Sequence, residues 1–185
     1  MYTLLAMKSR RPPILVLGLG NELLKDDAVG IRVAEELPRT LPPEVEIRSS
    51  SVFGLALLDE FVRRERVLVI DSYIPSDAAG ARIREFRLDE VGAATAPSPH
   101  SVGLGEIREI MRNLQIGFPR EVRILAIPVV DPATFSTEMT PEVQGRVREA
   151  ADRARRIVRR WIASEPASGT VKGKTRAKRA ASGKR

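Results

Sequence analysis

Residues 14–37 read ILVLGLGNELLKDDAVGIRVAEEL, and the fold class turns on this stretch. Residues 14–18 are a continuous apolar run ended by glycine, with no polar position to face water. Such a run fits a strand buried on both faces, as in a parallel sheet. From Asp26 onward the period changes. Val29, Val33 and Leu37 recur every four residues, with Arg32, Glu35 and Glu36 on the other side, so the spacing predicts an amphipathic helix over 26–37. Asp26 and Asp27 open that helix, where the backbone dipoles favour carboxylates. Pro38, Pro42 and Pro43 close it.

Further strands and helices follow downstream. Residues 45–48 read as a second strand, and 55–64 as a helix with Leu55, Leu58, Phe61 and Val62 inward. Residues 66–71, RVLVID, form another buried run, ended by Asp71. Residues 82–88 alternate less cleanly and fit an edge strand, and 92–100 are a loop rich in Ala, Pro and Ser. Residues 102–113 predict a helix with Leu104, Ile107, Ile110 and Met111 as its apolar positions, followed by a strand at 122–127. Pro141 suits the first turn of a long helix over 142–162. Its inner face is Val143, Val147, Ala150, Ala154, Ile157, Val158 and Trp161. Alternating strands and helices imply an α/β domain with a mostly parallel sheet and helices on both faces. A chain of 185 residues suits one such domain.

Composition narrows the chemistry. With no cysteine, disulfides, thiolate metal sites and a cysteine nucleophile are excluded. No apolar run approaches the ~18 residues that cross a bilayer, so no membrane association is expected. Residues 1–11 read as an N-terminal extension; their apolar stretch is too short and wrongly flanked for a signal peptide, and Met7 is a second candidate start. These features fit a cytoplasmic protein. The net charge of +7 is unevenly spread: residues 142–185 hold 14 Lys/Arg against 4 Asp/Glu, whereas 1–141 hold 17 against 20. The basic character thus belongs to the last helix and the tail, and the body before them carries no basic surface of the nucleic-acid-binding kind. Residues 164–185 have the composition of a basic disordered tail, solubilising or loosely attractive to acidic partners.

Three groups could carry chemistry. Gly18-Leu19-Gly20-Asn21 invites a dinucleotide reading, but Leu23 stands where the third glycine belongs and two aspartates would repel a pyrophosphate. No organic cofactor is expected. The glycines instead permit a turn that places Asp26 and Asp27 at the carboxyl edge of the sheet, where open α/β sheets build their sites. Asp71 ends its strand at the same edge, although an aspartate there also serves as a plain loop cap. His100, the only histidine, lies in the stiff loop Pro97-Ser98-Pro99-His100-Ser101; a hydrogen-bonded structural role is its alternative. Together, Asp27, Asp71 and His100 would suit a borderline divalent ion such as Ni²⁺ or Zn²⁺ in a weak, open site. A serine hydrolase would need His100 beside Ser98, Ser101 or the cluster Ser49, Ser50 and Ser51, but no G-x-S-x-G elbow exists, and H-E-x-x-H is absent.

These residues carry a resemblance. Residues 14–37 resemble the opening signature of the hydrogenase maturation endopeptidases: a strand, G-x-G-N, a short apolar link, an acidic pair and a G-x-x-[AV] helix. RVLVIDSY (66–73) resembles the family's second acidic strand, SPHSVGL (98–104) its S-P-H-x-x-G-L segment, and TPEV (140–143) the lead-in to its last helix. The similarity spans 12–163. It implies a three-layer α/β sandwich, phosphorylase/hydrolase-like, around a twisted, mostly parallel sheet. It also implies a metal-dependent endopeptidase that removes the C-terminal extension of a nickel-iron hydrogenase large-subunit precursor after nickel insertion. The catalytic and metal-contacting positions then fall on Asp27, Asp71 and His100, with nickel presented by the substrate and the enzyme a monomer. Two departures stand out. Many members have Glu where this chain has Asp27, and an Asp-Gly-Gly-Thr-like loop where it has Ser49-Ser50-Ser51-Val52-Phe53-Gly54. A non-catalytic, nickel-dependent chaperone or binding module for the large subunit is the alternative reading.

Overall fold

A computed structural model of the chain describes residues 11–38, 41–77, 80–90 and 103–164. Five strands form one sheet: β1 (Ile14–Leu19), β2 (Val45–Ser50), β3 (Arg66–Tyr73), β4 (Arg84–Arg87) and β5 (Glu121–Pro128), in the order β2-β1-β3-β5-β4. All neighbours are parallel except β4, which runs antiparallel to β5 at the edge. The helices are α1 (Val29–Glu35), α2 (Leu58–Phe61), α3 (Leu104–Asn113) and α4 (Pro141–Ala163).

The continuous apolar runs are explained by a core on each face. Ile14 and Val16 of β1, Leu68 and Ile70 of β3, and Leu125 and Ile127 of β5 pack with α1 and α4. Their alternates Leu15, Leu17, Val67, Val69, Val122 and Ile124 pack with α2 and α3. Every residue of β1 and β3 is buried, as a strand covered on both sides requires. The architecture is the α/β sandwich expected, with α1 and α4 over one face and α2 and α3 over the other.

Helix α4 is held by its inner face. Val143, Val147, Ala150, Ala154, Ile157, Val158 and Trp161 are all buried, and each large apolar side chain so buried is worth about 1.5–3 kcal/mol. Thr140 caps its start, its hydroxyl oxygen accepting from the Val143 N–H at 3.4 Å, and Pro141 occupies the first turn. At the far end Arg66, which opens β3, donates to the Trp161 carbonyl at 2.6 Å and lies 5.9 Å from the indole ring. Thus α4 runs from the carboxyl edge of the sheet to its amino edge.

Local differences from expectation have simple causes. The helix predicted over 26–37 starts as a 3-10 turn, Lys25–Ala28, before α1. The helix predicted over 55–64 is mostly a 3-10 turn, Gly54–Leu57, followed by one turn of α2. The tighter winding turns Leu57 into the core and leaves Leu55, predicted inward, exposed. The proposed loop at 92–100 and the basic tail beyond Ser164 lie outside the described residues, as does the extension before Arg11. Arg11 itself donates to the Asp59 carboxylate at 2.7 Å.

Candidate functional site

The site begins where glycines let backbone approach backbone. Gly20 has φ +149°, and a Cβ there would sit 2.0 Å from the Asp27 carbonyl oxygen. A Cβ on Gly30 would lie 2.2 Å and 2.4 Å from the carbonyl oxygens of Leu19 and Ile70. The Lys25–Ala28 turn and the start of α1 therefore rest directly on the ends of β1 and β3. The close approach carries Asp26 and Asp27 to the rim of the sheet.

The two aspartates do different work. Consecutive side chains on a 3-10 turn diverge by about 120°. Asp26 is fully buried and points to the loop between β5 and α4. It accepts from the N–H groups of Val130 (3.1 Å), Asp131 (2.8 Å) and Thr140 (2.7 Å), and from the Thr140 hydroxyl (3.0 Å). Asp27 is 8% exposed and, among the described residues, makes two bonds, from the Asn21 N–H at 2.9 Å and from the Ser72 hydroxyl at 3.0 Å. Each carboxylate oxygen can accept twice, so both Asp27 oxygens keep a free acceptor direction. Asp26 is a structural clamp, whereas Asp27 retains capacity for another partner.

Asp71 is fully buried near the end of β3, its Oδ1 accepting from the Ser72 N–H at 2.9 Å. Ser72 therefore bonds both carboxylates, with its backbone to Asp71 and its hydroxyl to Asp27. Strand alternation puts Asp71 on the α2–α3 side and Ser72 on the α1–α4 side, where Asp27 meets it. The structure brings Asp27 and Asp71 to one rim around Ser72. The third expected residue, His100, lies outside the described residues. Among the described residues no group of three or more His, Cys, Asp or Glu is placed to hold a metal ion.

The neighbouring loop is built around Asp131. The Lys25 ammonium at 3.0 Å, together with the N–H groups of Thr134 and Ala133, holds its carboxyl down at about 2. A cleft of about 520 Å³ lies elsewhere, between α1 and β2, lined by residues such as Leu37, Leu41, Val45 and Ile47; neither carboxylate borders it.

A family model described as hydrogenase maturation protease matches residues 31–157. The chain belongs to the hydrogenase maturation protease family. The hydrogenase 2 maturation protease of Escherichia coli is 29% identical over 143 residues, 75% of this chain and 86% of that protein. The hydrogenase expression/formation protein HupD of Bradyrhizobium diazoefficiens is 26% identical over 152 residues, 80% of this chain and 79% of that protein. Among solved structures, the hydrogenase maturating endopeptidase HybD from E. coli superimposes with a TM-score of 0.69 at 28% identity, covering 80% of this chain and 93% of that one. Membership in the family makes the chain a peptidase by kinship. No helix among the described residues is long and apolar enough to cross a membrane.

Two residues of this maturation-protease site went unread in the sequence. Ser72 directly follows Asp71, and a polar pair closing an apolar strand was the available signal. Thr140 was matched to the family's last-helix lead-in without a role. Its role is double: it caps α4 and donates to Asp26.

Proposed function

We propose that this chain is the endopeptidase that removes the C-terminal extension of a nickel-iron hydrogenase large-subunit precursor once nickel is in place. The observation that carries the reading is the meeting of Asp27 and Asp71 around Ser72, at the carboxyl edge of the sheet, in a member of this peptidase family. In this reading Asp27, Asp71 and His100 contact nickel that the precursor presents. Only the loaded precursor gains that binding energy, so cleavage is gated by the metal. Water adds to the scissile carbonyl carbon, the C–N bond breaks, and the proton removed from water passes to the leaving amine. A carboxylate or His100 takes that proton as general base. The enzyme acts in the cytoplasm, as a monomer and without an organic cofactor.

The test mixes purified enzyme with nickel-loaded and nickel-free precursor and follows the released C-terminal peptide by mass spectrometry. Release from the loaded form alone is expected; equal release from both would remove the gating. Nickel-dependent binding with no peptide released would instead establish the chaperone reading. His100→Ala should abolish processing at an unchanged thermal midpoint, and a collapsed midpoint would reassign His100 to structure.

A further inference from the structure

Among the described residues the sheet has two open edges, and they are not alike. On β4, Arg84, Glu85 and Arg87 are all charged and exposed, the usual defence of an edge against an added strand. β2 carries no such defence. Its charged side chains are paired on the α2 side of the sheet, Glu46 with Arg64 at 2.6 Å and Arg48 with Glu60 at 2.9 Å. No proline or bulge interrupts it, and it matches β1 residue for residue from Ile14↔Val45 to Leu19↔Ser50.

The hydrogen bonds fix which groups this edge offers. The Glu44 carbonyl accepts from the Ile14 N–H at 3.0 Å and the Ser50 carbonyl from the Gly20 N–H at 3.2 Å, so the even-numbered residues turn their backbone groups to β1. The odd-numbered residues Val45, Ile47 and Ser49 turn theirs outward. The Val45 N–H is taken by the Pro42 carbonyl at 2.9 Å. Among the described residues nothing meets the Ile47 and Ser49 N–H groups or the Val45 and Ile47 carbonyls. The same three residues line the cleft of about 520 Å³ beside α1, together with Glu35, Leu37 and Leu41. Unpaired strand groups beside a groove for alternate side chains are the two elements of recognition by strand addition.

The edge also leads to the site. β2 ends at Ser50, whose carbonyl holds the Gly20 N–H, and the next residue, Asn21, donates to Asp27 at 2.9 Å. Resting on the function proposed above, we infer that the precursor docks by adding an extended segment to the outer edge of β2. Its main chain donates to the Val45 and Ile47 carbonyls and accepts from the Ile47 and Ser49 N–H groups, while alternate side chains lie in the cleft. The occupant is polypeptide because a strand matches donors and acceptors alternating along 45–49. It is the precursor because the edge ends at the turn that presents Asp27.

The experiment follows hydrogen exchange at single amides in the full chain carrying Asp27→Asn, alone and saturated with nickel-loaded precursor. The Ile47 and Ser49 amides should exchange freely in the protein alone and slow by about ten-fold or more in the complex. The Glu46 and Arg48 amides, bonded to β1, should be protected in both. Ser49→Pro in the active enzyme removes an outward donor that the sheet does not use, and should raise KM about ten-fold at unchanged kcat and midpoint. Leu41→Arg, a loop change that puts a charge into the cleft, should do the same and decides the matter where Ser49→Pro lowers the midpoint. Unchanged exchange at Ile47 and Ser49 in the saturated complex overturns edge docking, and wild-type cleavage then leaves the peptidase reading standing. An unchanged KM in both variants overturns it as well. So does protection of the two amides in the protein alone that rises with its concentration, since the occupant is then a second copy. Protection by precursor that wild type never cleaves keeps the docking edge and removes the peptidase reading.

Discussion

Replacing Asp26 and Asp27 one at a time should separate folding from chemistry in two adjacent residues. Consider Asp26→Asn. The four donors on Asp26 divide unevenly: the Thr140 N–H meets Oδ1, whereas the Val130 N–H, the Asp131 N–H and the Thr140 hydroxyl meet Oδ2. The amide therefore settles with its NH₂ at the Oδ1 position, facing the Thr140 N–H, which loses its partner. An unsatisfied buried N–H costs about 1–3 kcal/mol. The three surviving bonds lose their charge assistance, at about 1 kcal/mol each. Burying an amide in place of a carboxylate returns part of this. The net loss is about 3 kcal/mol, a large share of the roughly 5–15 kcal/mol that a domain possesses.

For a chain of this size each kcal/mol moves the midpoint by about 2–4 °C. Asp26→Asn should therefore melt roughly 6–12 °C below wild type in calorimetry. Asp27→Asn loses less, because Asp27 accepts only two bonds and its amide can still take the one from Ser72; about 1 kcal/mol and a few degrees are expected. Processing should show the opposite order, nearly absent in Asp27→Asn and only partly reduced in Asp26→Asn below its midpoint. Equal midpoints for the two variants, or a larger drop for Asp27→Asn, would refute the division of roles.

Ser72→Ala should lower kcat about ten-fold with KM nearly unchanged and the midpoint down by a few degrees, because the hydroxyl's bond to Asp27 is lost; Ser72→Thr should restore kcat, and a variant that loses stability with kcat unchanged would sink the positioning role. Gly30→Ala drives a methyl group into two backbone carbonyls that cannot swing aside, and should cost about 3 kcal/mol or more, read as a fall in the urea midpoint. Thr140→Val removes both the cap of α4 and one donor to Asp26, for about 2 kcal/mol; a midpoint within a degree of wild type would contradict it. The Asp131 carboxyl sits at about 2 in the fold against an ordinary 3.8, chiefly through Lys25. Because the folded value is the lower one, its stabilisation is whole above about pH 4 and disappears as pH falls through about 2. The midpoint difference between wild type and Lys25→Met should therefore be constant above pH 4 and close as pH approaches 2.

The sheet was legible because burial on both faces makes β1, the middle of β3 and the second half of β5 continuous apolar runs, and such runs stand out against any background. The edge strand β4 was less so, since only Phe86 of Arg84-Glu85-Phe86-Arg87 is even half-buried. The segment after Gly54 misled because an apolar run of this length reads alike at three residues per turn or at 3.6, and only tertiary packing turned Leu57 in and Leu55 out. At the site, strand ends and the acidic pair pointed to the rim, yet nothing local distinguishes Asp26 from Asp27. What distinguishes them is the chain more than 100 residues later, where the N–H groups of Val130, Asp131 and Thr140 converge on Asp26 and on no other carboxylate.

That distant clamp has a consequence for how a substrate would be registered. Asp26 joins the loop bearing Val130 and Phe135 to the same 3-10 turn that presents Asp27, with one peptide bond between the clamp and the candidate catalytic carboxylate. The loop bearing Phe135 is thus indexed to Asp27 through the Leu23–Ser136 pairing and the Asp26 bonds. A displacement of about 1 Å at a reacting centre can cost on the order of a hundred-fold in rate. Loosening the clamp should therefore harm the cleavage step on the nickel-loaded precursor more than its binding. Thr140→Val, assayed on nickel-loaded precursor well below its midpoint, should lose kcat with KM near wild type. An unchanged kcat would mean that the clamp only stabilises the fold.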